Sequence, residues 1–115
     1  MNYKVSFRQH KLEGKIRVPA SKSLSNRLLI IQALSHNSFE VEDLSDSDDT
    51  QLLKAALASK ESIIDIHHAG TAMRFLTAYY AATGQKVTLT GSERMRNRPI
   101  GKLVDSLRLM GAKIT

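Results

Sequence analysis

The stretch Ile63-Ile64-Asp65-Ile66-His67-His68-Ala69-Gly70-Thr71-Ala72-Met73-Arg74 decides the fold class. Ile63, Ile64 and Ile66 form a short β-branched run, which reads as a strand. A small-residue loop follows. From Thr71 to Ala82 the pattern is helical, and Gly84 stops it. Val87 and Leu89 then alternate with Lys86, Thr88 and Thr90, which predicts another strand. Strands that alternate with helices make an α/β protein.

The rest of the chain extends that pattern in both directions. Towards the C-terminus, Pro99 suits the first position of a helix. Ile100, Leu103, Val104 and Leu107 then form one apolar stripe, ended by Gly111. Ala112-Lys113-Ile114-Thr115 reads as a strand that has only begun, either a short terminal strand or the cut edge of something longer. Towards the N-terminus, Asp48 to Leu57 predicts a helix, with two aspartates where the macrodipole favours negative charge. Phe39-Glu40-Val41-Glu42 alternates as a strand. Leu24 to Leu34 predicts a helix. Its run Leu28-Leu29-Ile30-Ile31 has no polar side, so burial on most sides is expected. Tyr3, Val5 and Phe7, then Ile16 and Val18, read as two short strands.

Composition bounds the function classes. With 115 residues, 42% apolar and 24% charged, the chain fits one globular domain rather than a disordered segment. Seventeen basic residues against eleven acidic ones give a net charge of +6 and a pI near 9.8. That balance favours anionic partners: nucleic acid, phosphorylated metabolites or an anionic membrane surface. The absence of cysteine removes disulfides, thiolate nucleophiles and Cys-based zinc sites. No apolar run approaches the ~20 residues of a membrane span. Met1-Asn2-Tyr3-Lys4-Val5 has no apolar signal core. A soluble, cytoplasmic protein is expected.

Three basic loops each open a helix. The first is Pro19-Ala20-Ser21-Lys22-Ser23-Leu24-Ser25-Asn26-Arg27. Its hydroxyl residues can cap a helix, and free N–H groups at a helix start attract anions. Arg27 falls four residues after Ser23, on the same helix face. In the second, His67-His68-Ala69-Gly70-Thr71-Ala72-Met73-Arg74, Gly70 lets a ligand approach the backbone. A metal on the paired histidines is improbable, because no third ligand is evident. In the third, Arg94-Met95-Arg96-Asn97-Arg98-Pro99, an extended backbone would put three arginines on one face, each able to grip a carboxylate or phosphate. Asp46, Asp48 and Asp49 have a spacing that could bind a divalent cation, without the Gly and distal Glu of an EF-hand loop; helix capping is the default, and orienting the basic residues of a phosphate site is the functional alternative. Plainer readings are a Ser-capped helix with solvated basic residues for the first loop, an ordinary loop with a Gly turn for the second, and a solvated basic loop or nucleic-acid patch for the third. A nucleic-acid module is weakened by the few aromatic residues, none within the three loops.

Taken together and in order, these motifs resemble the 5-enolpyruvylshikimate-3-phosphate synthase family. The resemblance runs from Gly14 to Thr115. It rests on Ser21 to Arg27, Asp46-Ser47-Asp48-Asp49, Ala69 to Arg74, Leu89 to Ile100 and the closing Gly-Ala-Lys-Ile-Thr. It implies transfer of the enolpyruvyl group of phosphoenolpyruvate to the 5-hydroxyl of shikimate 3-phosphate, with release of phosphate and with neither metal nor organic cofactor. It implies that Lys22 contacts both substrates and stabilises charge in catalysis. It places Ser23 and Arg27 on shikimate 3-phosphate, Gly70 and Arg98 on phosphoenolpyruvate, and Asp49, Thr71 and Arg74 in support. Family members have two lobes built from βαβαββ repeats. Residues 1–18 would belong with the second lobe and residues 19–115 would begin the first, so this chain is expected to be an inactive part of a monomeric enzyme. The proton-transferring carboxylates of the family lie in the later lobe. A related transferase, acting on UDP-N-acetylglucosamine, usually carries a reactive cysteine and lacks the Ser-Lys-Ser motif. Three departures stand out: a shorter stretch between the Asp48-Asp49 helix and Gly70, His68 where many members have Asn, and Phe75 where many have Pro. Self-association through unpaired strand edges is a further expectation for an isolated lobe.

Overall fold

The computed structural model describes residues 1–8 and 11–115. Its elements run α1 (Lys22–Leu34), α2 (Asp48–Ala58), β1 (Ile63–Asp65), α3 (Gly70–Thr83), β2 (Thr88–Thr90), α4 (Glu93–Arg96) and α5 (Gly101–Leu109). β1, α3 and β2 form a βαβ unit. The two strands pair in parallel, with Ile63 opposite Thr88, Ile64 opposite Leu89 and Asp65 opposite Thr90. The α/β reading therefore holds, on a smaller sheet than the sequence predicts.

Local chemistry sets the helix ends. Ser21, Ser47 and Ser92 cap α1, α2 and α4, each accepting an N–H bond from the first turn. Gly84 and Gly111 follow α3 and α5 with φ of 69° and 97°, in the left-handed region that stops a helix. Pro99 is not the first residue of α5. That helix begins at Gly101, capped by Ile100, and the Pro99 carbonyl serves as an acceptor instead.

Leu53, Ile66 and Leu76 are fully buried where α2, β1 and α3 meet. Leu29, Ile64, Tyr80 and Met95 complete the same cluster. Tyr80 donates its hydroxyl to the Ala56 carbonyl at 3.2 Å, tying α3 to α2. Burial, and secondarily the neighbouring Tyr79, push the Tyr80 phenol above its ordinary value of 10.0. The folded chain then keeps this proton to higher pH than the unfolded chain. The stability linked to it is complete below a pH of about 10 and is lost as pH rises through the folded midpoint. Alkaline denaturation curves are expected to fall more steeply for the wild type than for Tyr80→Phe.

Several predicted strands are not strands. Tyr3 to Phe7 and Ile16 to Val18 carry exposed side chains and no strand pairing among the described residues. Alternation marks a sequence able to be a strand, but the backbone groups still need a partner edge. These segments also account for a radius of gyration of 18.5 Å, above the ~13 Å of a compact chain of roughly 100 residues. Phe39 to Glu42 is held otherwise: Gln32 Nε2 donates to the Phe39 carbonyl at 2.7 Å, and Asp43 turns the chain with φ of 50°. At the end of the chain, Arg108 grips the Ile114 carbonyl through Nε and Nη2, at 2.9 and 2.6 Å, where a strand was expected.

The expected burial of α1 on most sides is also revised. Only Ser25, Asn26 and Leu29 are buried, while Leu24, Ile31 and Leu34 are exposed. α2 and α3 cover one face of this helix and nothing among the described residues covers the other.

Candidate anion-binding site

The site is assembled by a buried polar network between α1 and α2. The Ser45 N–H donates to Ser25 Oγ at 2.9 Å, and Thr50 Oγ1 donates to Asn26 Oδ1 at 2.8 Å. Ser47 Oγ lies 3.0 Å from Thr50 Oγ1. These bonds bolt the start of α2 against the start of α1. Thr50→Val is expected to cost about 1–3 kcal/mol in urea denaturation, because it strands a buried acceptor on Asn26. Asn26 Nδ2 is already without a protein partner, alone among the buried side-chain polar atoms of the described residues.

The network delivers Asp49, largely buried, to Lys22: Asp49 Oδ2 lies 3.7 Å from Nζ. One turn on, Arg27 Nη1 donates to the Ser23 carbonyl at 2.9 Å and to Ser23 Oγ. Its guanidinium carbon lies 5.7 Å from the centre of the Phe75 ring. Cation–π contact and the hydrogen bonds together hold the Arg27 side chain.

α3 enters from the opposite side. Ala69 offers no side-chain cap, so the first N–H groups of this 14-residue helix are left for an incoming acceptor. Arg74 Nη1 donates to the Gly70 carbonyl at 3.3 Å and Nη2 to the Pro99 carbonyl at 3.1 Å. This draws the third loop onto the second. The Arg98 guanidinium consequently lies against Gly70. A Cβ built on Gly70 would meet Arg98 Cζ at 2.9 Å, with Nη1 nearer still.

One pocket of about 650 Å³ results, lined by Lys22, Ser23, Arg27, Asp49, Gly70, Thr71, Arg74 and Arg98. All eight site residues read from the sequence meet there, although they come from positions up to 76 residues apart in the chain. Asn26, His68 and Phe75 line it as well. The sequence reading gave Asn26 no role. Its signal is its position four residues after Lys22, on the same helix face.

The third loop differs from expectation. Arg94 and Arg96 lie in α4, a helical turn capped by Ser92, and are not among the pocket residues. The alternation that would put three arginines on one face requires extended backbone, which a helical turn does not provide. Only Arg98 reaches the pocket. Among the described residues, no group of three or more His, Asp or Glu is arranged to hold a metal ion.

Four cationic side chains, a helix N-terminus and one inward carboxylate define the chemistry of a site for a small, multiply charged anion. Lys22 and Arg27 come from α1, Asp49 from α2 and Arg98 from the loop before α5, while Arg74 and the helix N-terminus belong to the βαβ unit, so an α/β lobe presents them together. Comparison with known proteins gives the family. The model for EPSP synthase (3-phosphoshikimate 1-carboxyvinyltransferase) matches residues 7–59 and 51–115, and the chain belongs to that family. The two matched pieces overlap over residues 51–59, in α2 and the residue after it.

Curated relatives agree. The chain is 53% identical over 103 residues to a 3-phosphoshikimate 1-carboxyvinyltransferase of Bacteroides fragilis, covering 90% of this chain and 25% of the relative. It is 40% identical to that of Ralstonia nicotianae, covering 88% and 29%, and 38% identical to that of Escherichia coli O17:K52:H18, covering 91% and 31%. The chain thus spans about a quarter of the length of the relatives it matches. No solved structure matches it. No helix among the described residues is long and apolar enough to cross a membrane.

Proposed function

We propose that this chain is the first part of the substrate-binding lobe of a cytoplasmic 3-phosphoshikimate 1-carboxyvinyltransferase, and that its pocket binds shikimate 3-phosphate and phosphoenolpyruvate. The observation that carries this reading is the meeting of Lys22, Arg27, Arg74 and Arg98 with the N-terminus of α3 in one pocket. Both substrates present phosphate and carboxylate groups, which such donors hold best. Lys22, the first residue of α1, lines the pocket together with Gly70 and contacts both substrates. Ser23 and Arg27 hold shikimate 3-phosphate. Gly70 and Arg98 hold phosphoenolpyruvate, while Asp49, Thr71 and Arg74 have supporting roles, Asp49 through its ion pair with Lys22.

In the whole enzyme these groups stabilise developing charge and orient the 5-hydroxyl towards C2 of phosphoenolpyruvate. Proton transfer falls to carboxylates outside this chain. The chain alone therefore binds without turnover. Residues 1–18 pack with the other lobe, and residues 19–115 form the lobe described here.

Amide NMR titrations of the chain test this, with shikimate 3-phosphate, inorganic phosphate and a short single-stranded oligonucleotide run side by side. Shikimate 3-phosphate is expected to shift Ser23, Arg27 and their neighbours at lower concentration than phosphate does. A response to the oligonucleotide alone would overturn the assignment in favour of a nucleic-acid module, whose affinity would fall steeply with salt.

A further inference from the structure

Asn26 lines the anion pocket, has no exposed surface, and uses only half of its carboxamide inside the fold. Oδ1 accepts the Thr50 hydroxyl at 2.8 Å, whereas Nδ2 has no partner among the described residues. An amide nitrogen carries two hydrogens and accepts nothing. A buried donor of this kind weakens a fold until an acceptor reaches it.

The hydrogen bonds behind Asn26 all run one way. Ser47 Oγ accepts the Thr50 N–H at 3.4 Å and lies 3.0 Å from Thr50 Oγ1. A hydroxyl has one hydrogen, and that of Thr50 goes to Asn26. Ser47 is therefore the donor in its contact with Thr50. The chain runs from Ser47 through Thr50 to Asn26 and ends on the hydrogens of Nδ2. Each bond in such a chain polarises the next, which makes the last donor a better one. A helical side chain leans back over the turn before it. The Asn26 amide therefore lies beside Lys22 and Ser23, four and three residues earlier on the same face of α1.

We propose that Asn26 is a further anion-binding residue of this pocket, its Nδ2 donating to an oxygen of the phosphate group that Lys22 and Ser23 hold. The inference rests on the reading of the pocket as an anion site, and adds to its cations a neutral donor whose direction is fixed by the fold. A phosphate oxygen supplies the acceptor that Nδ2 lacks. Solvent does not reach Nδ2 in this structure, so the phosphate meets it as the Lys22 side chain gives way. Lys22 is free to do so: its ammonium is 3.7 Å from Asp49, beyond hydrogen-bond length, and its side chain is 53% exposed. An arriving phosphate draws that ammonium towards itself and comes to rest beside the Asn26 amide.

The test is a titration of the chain with inorganic sulfate, a tetrahedral oxyanion like the phosphate group. It is followed on the Asn26 side-chain amide and on the Ser23 and Gly70 backbone amides. One Nδ2 hydrogen of Asn26 is expected to move downfield along the same curve as the Ser23 amide. Asn26→Leu has the branched shape of asparagine without the donor. It is expected to bind sulfate about tenfold more weakly or worse, the loss of a hydrogen bond to a charged group, with thermal denaturation showing that the variant is folded. Shifts at Ser23 and Gly70 while the Asn26 side-chain resonances stay still would overturn this inference and leave the anion pocket standing. A folded Asn26→Leu with wild-type affinity would do the same. The side-chain resonances are read on the wild type, so they decide the matter even where the variant does not fold. No sulfate response at any of these positions would overturn both the inference and the pocket.

Discussion

Gly70→Ala leaves the fold intact and removes most of the pocket's affinity for anions. The added methyl group occupies the space of the Arg98 guanidinium, the movable end of a long side chain. Arg98 swings away at little cost to the rest of the molecule. Gly70 opens α3, so alanine there also suits the helix better than glycine does. Binding loses a charge-assisted bidentate donor and the close backbone approach beside it. Loss of hydrogen bonds to a charged group is worth about 1.5–3 kcal/mol, so phosphate or phosphoenolpyruvate should bind roughly ten- to a hundredfold more weakly. Thermal denaturation and ligand titration on one sample separate the two effects. An unchanged affinity would mean that Arg98 does not contribute where it lies.

Leu53→Ala has the opposite signature. Leu53 has no exposed surface and sits at the centre of the cluster joining α2, β1 and α3. Truncation of a buried leucine costs about 2–5 kcal/mol, the spread depending on how far the cavity collapses. Domains of this size have about 5–15 kcal/mol in total, so the melting temperature should fall by roughly 8–40 °C at about 4–8 °C per kcal/mol. The pocket would be lost with the fold, because the same α2 carries Asp49. Leu109→Ala is the control. That side chain is exposed, and its loss should stay within about 0.5 kcal/mol.

The two substitutions mark what could be read from the residues. Helices were legible because their ends are local chemistry: Ser21 and Ser47 at the starts, Gly84 and Gly111 beyond the ends. β1 and β2 were legible because each is joined to α3 in a single crossover. The remaining predicted strands failed because pairing is not a property of a segment. Tyr3, Val5 and Phe7 alternate correctly, yet no described strand lies beside them. At Arg94 and Arg96 two signals compete: Ser92 followed by Glu93 caps a helical turn, and that turn replaces the extended backbone that alternation predicts.

The pocket was legible in its membership but not in its wiring. Spacing along one helix gives Ser23 with Arg27. It cannot give Lys22 with Asp49, which depends on the buried contacts of Ser25, Asn26 and Thr50. Nor can it give the Arg74 bridge to Pro99, which crosses 25 residues to bring Arg98 onto Gly70. Buried polar side chains on a helix otherwise rich in leucine and isoleucine were the available sign that α1 docks through Ser25 and Asn26. A polar group is buried at a cost unless it is bonded.

On the proposed function, the loops that open α1 and α3 and the loop before α5 make one anion site. The most direct measurement is a phosphoenolpyruvate titration of the chain, followed at once on the Ser23 and Gly70 amides and on the Arg98 side-chain resonances. All three should move together along one binding curve. Curves with different midpoints, or movement at one loop while the others stay still, would mean that the loops act apart and that the pocket is not a single site.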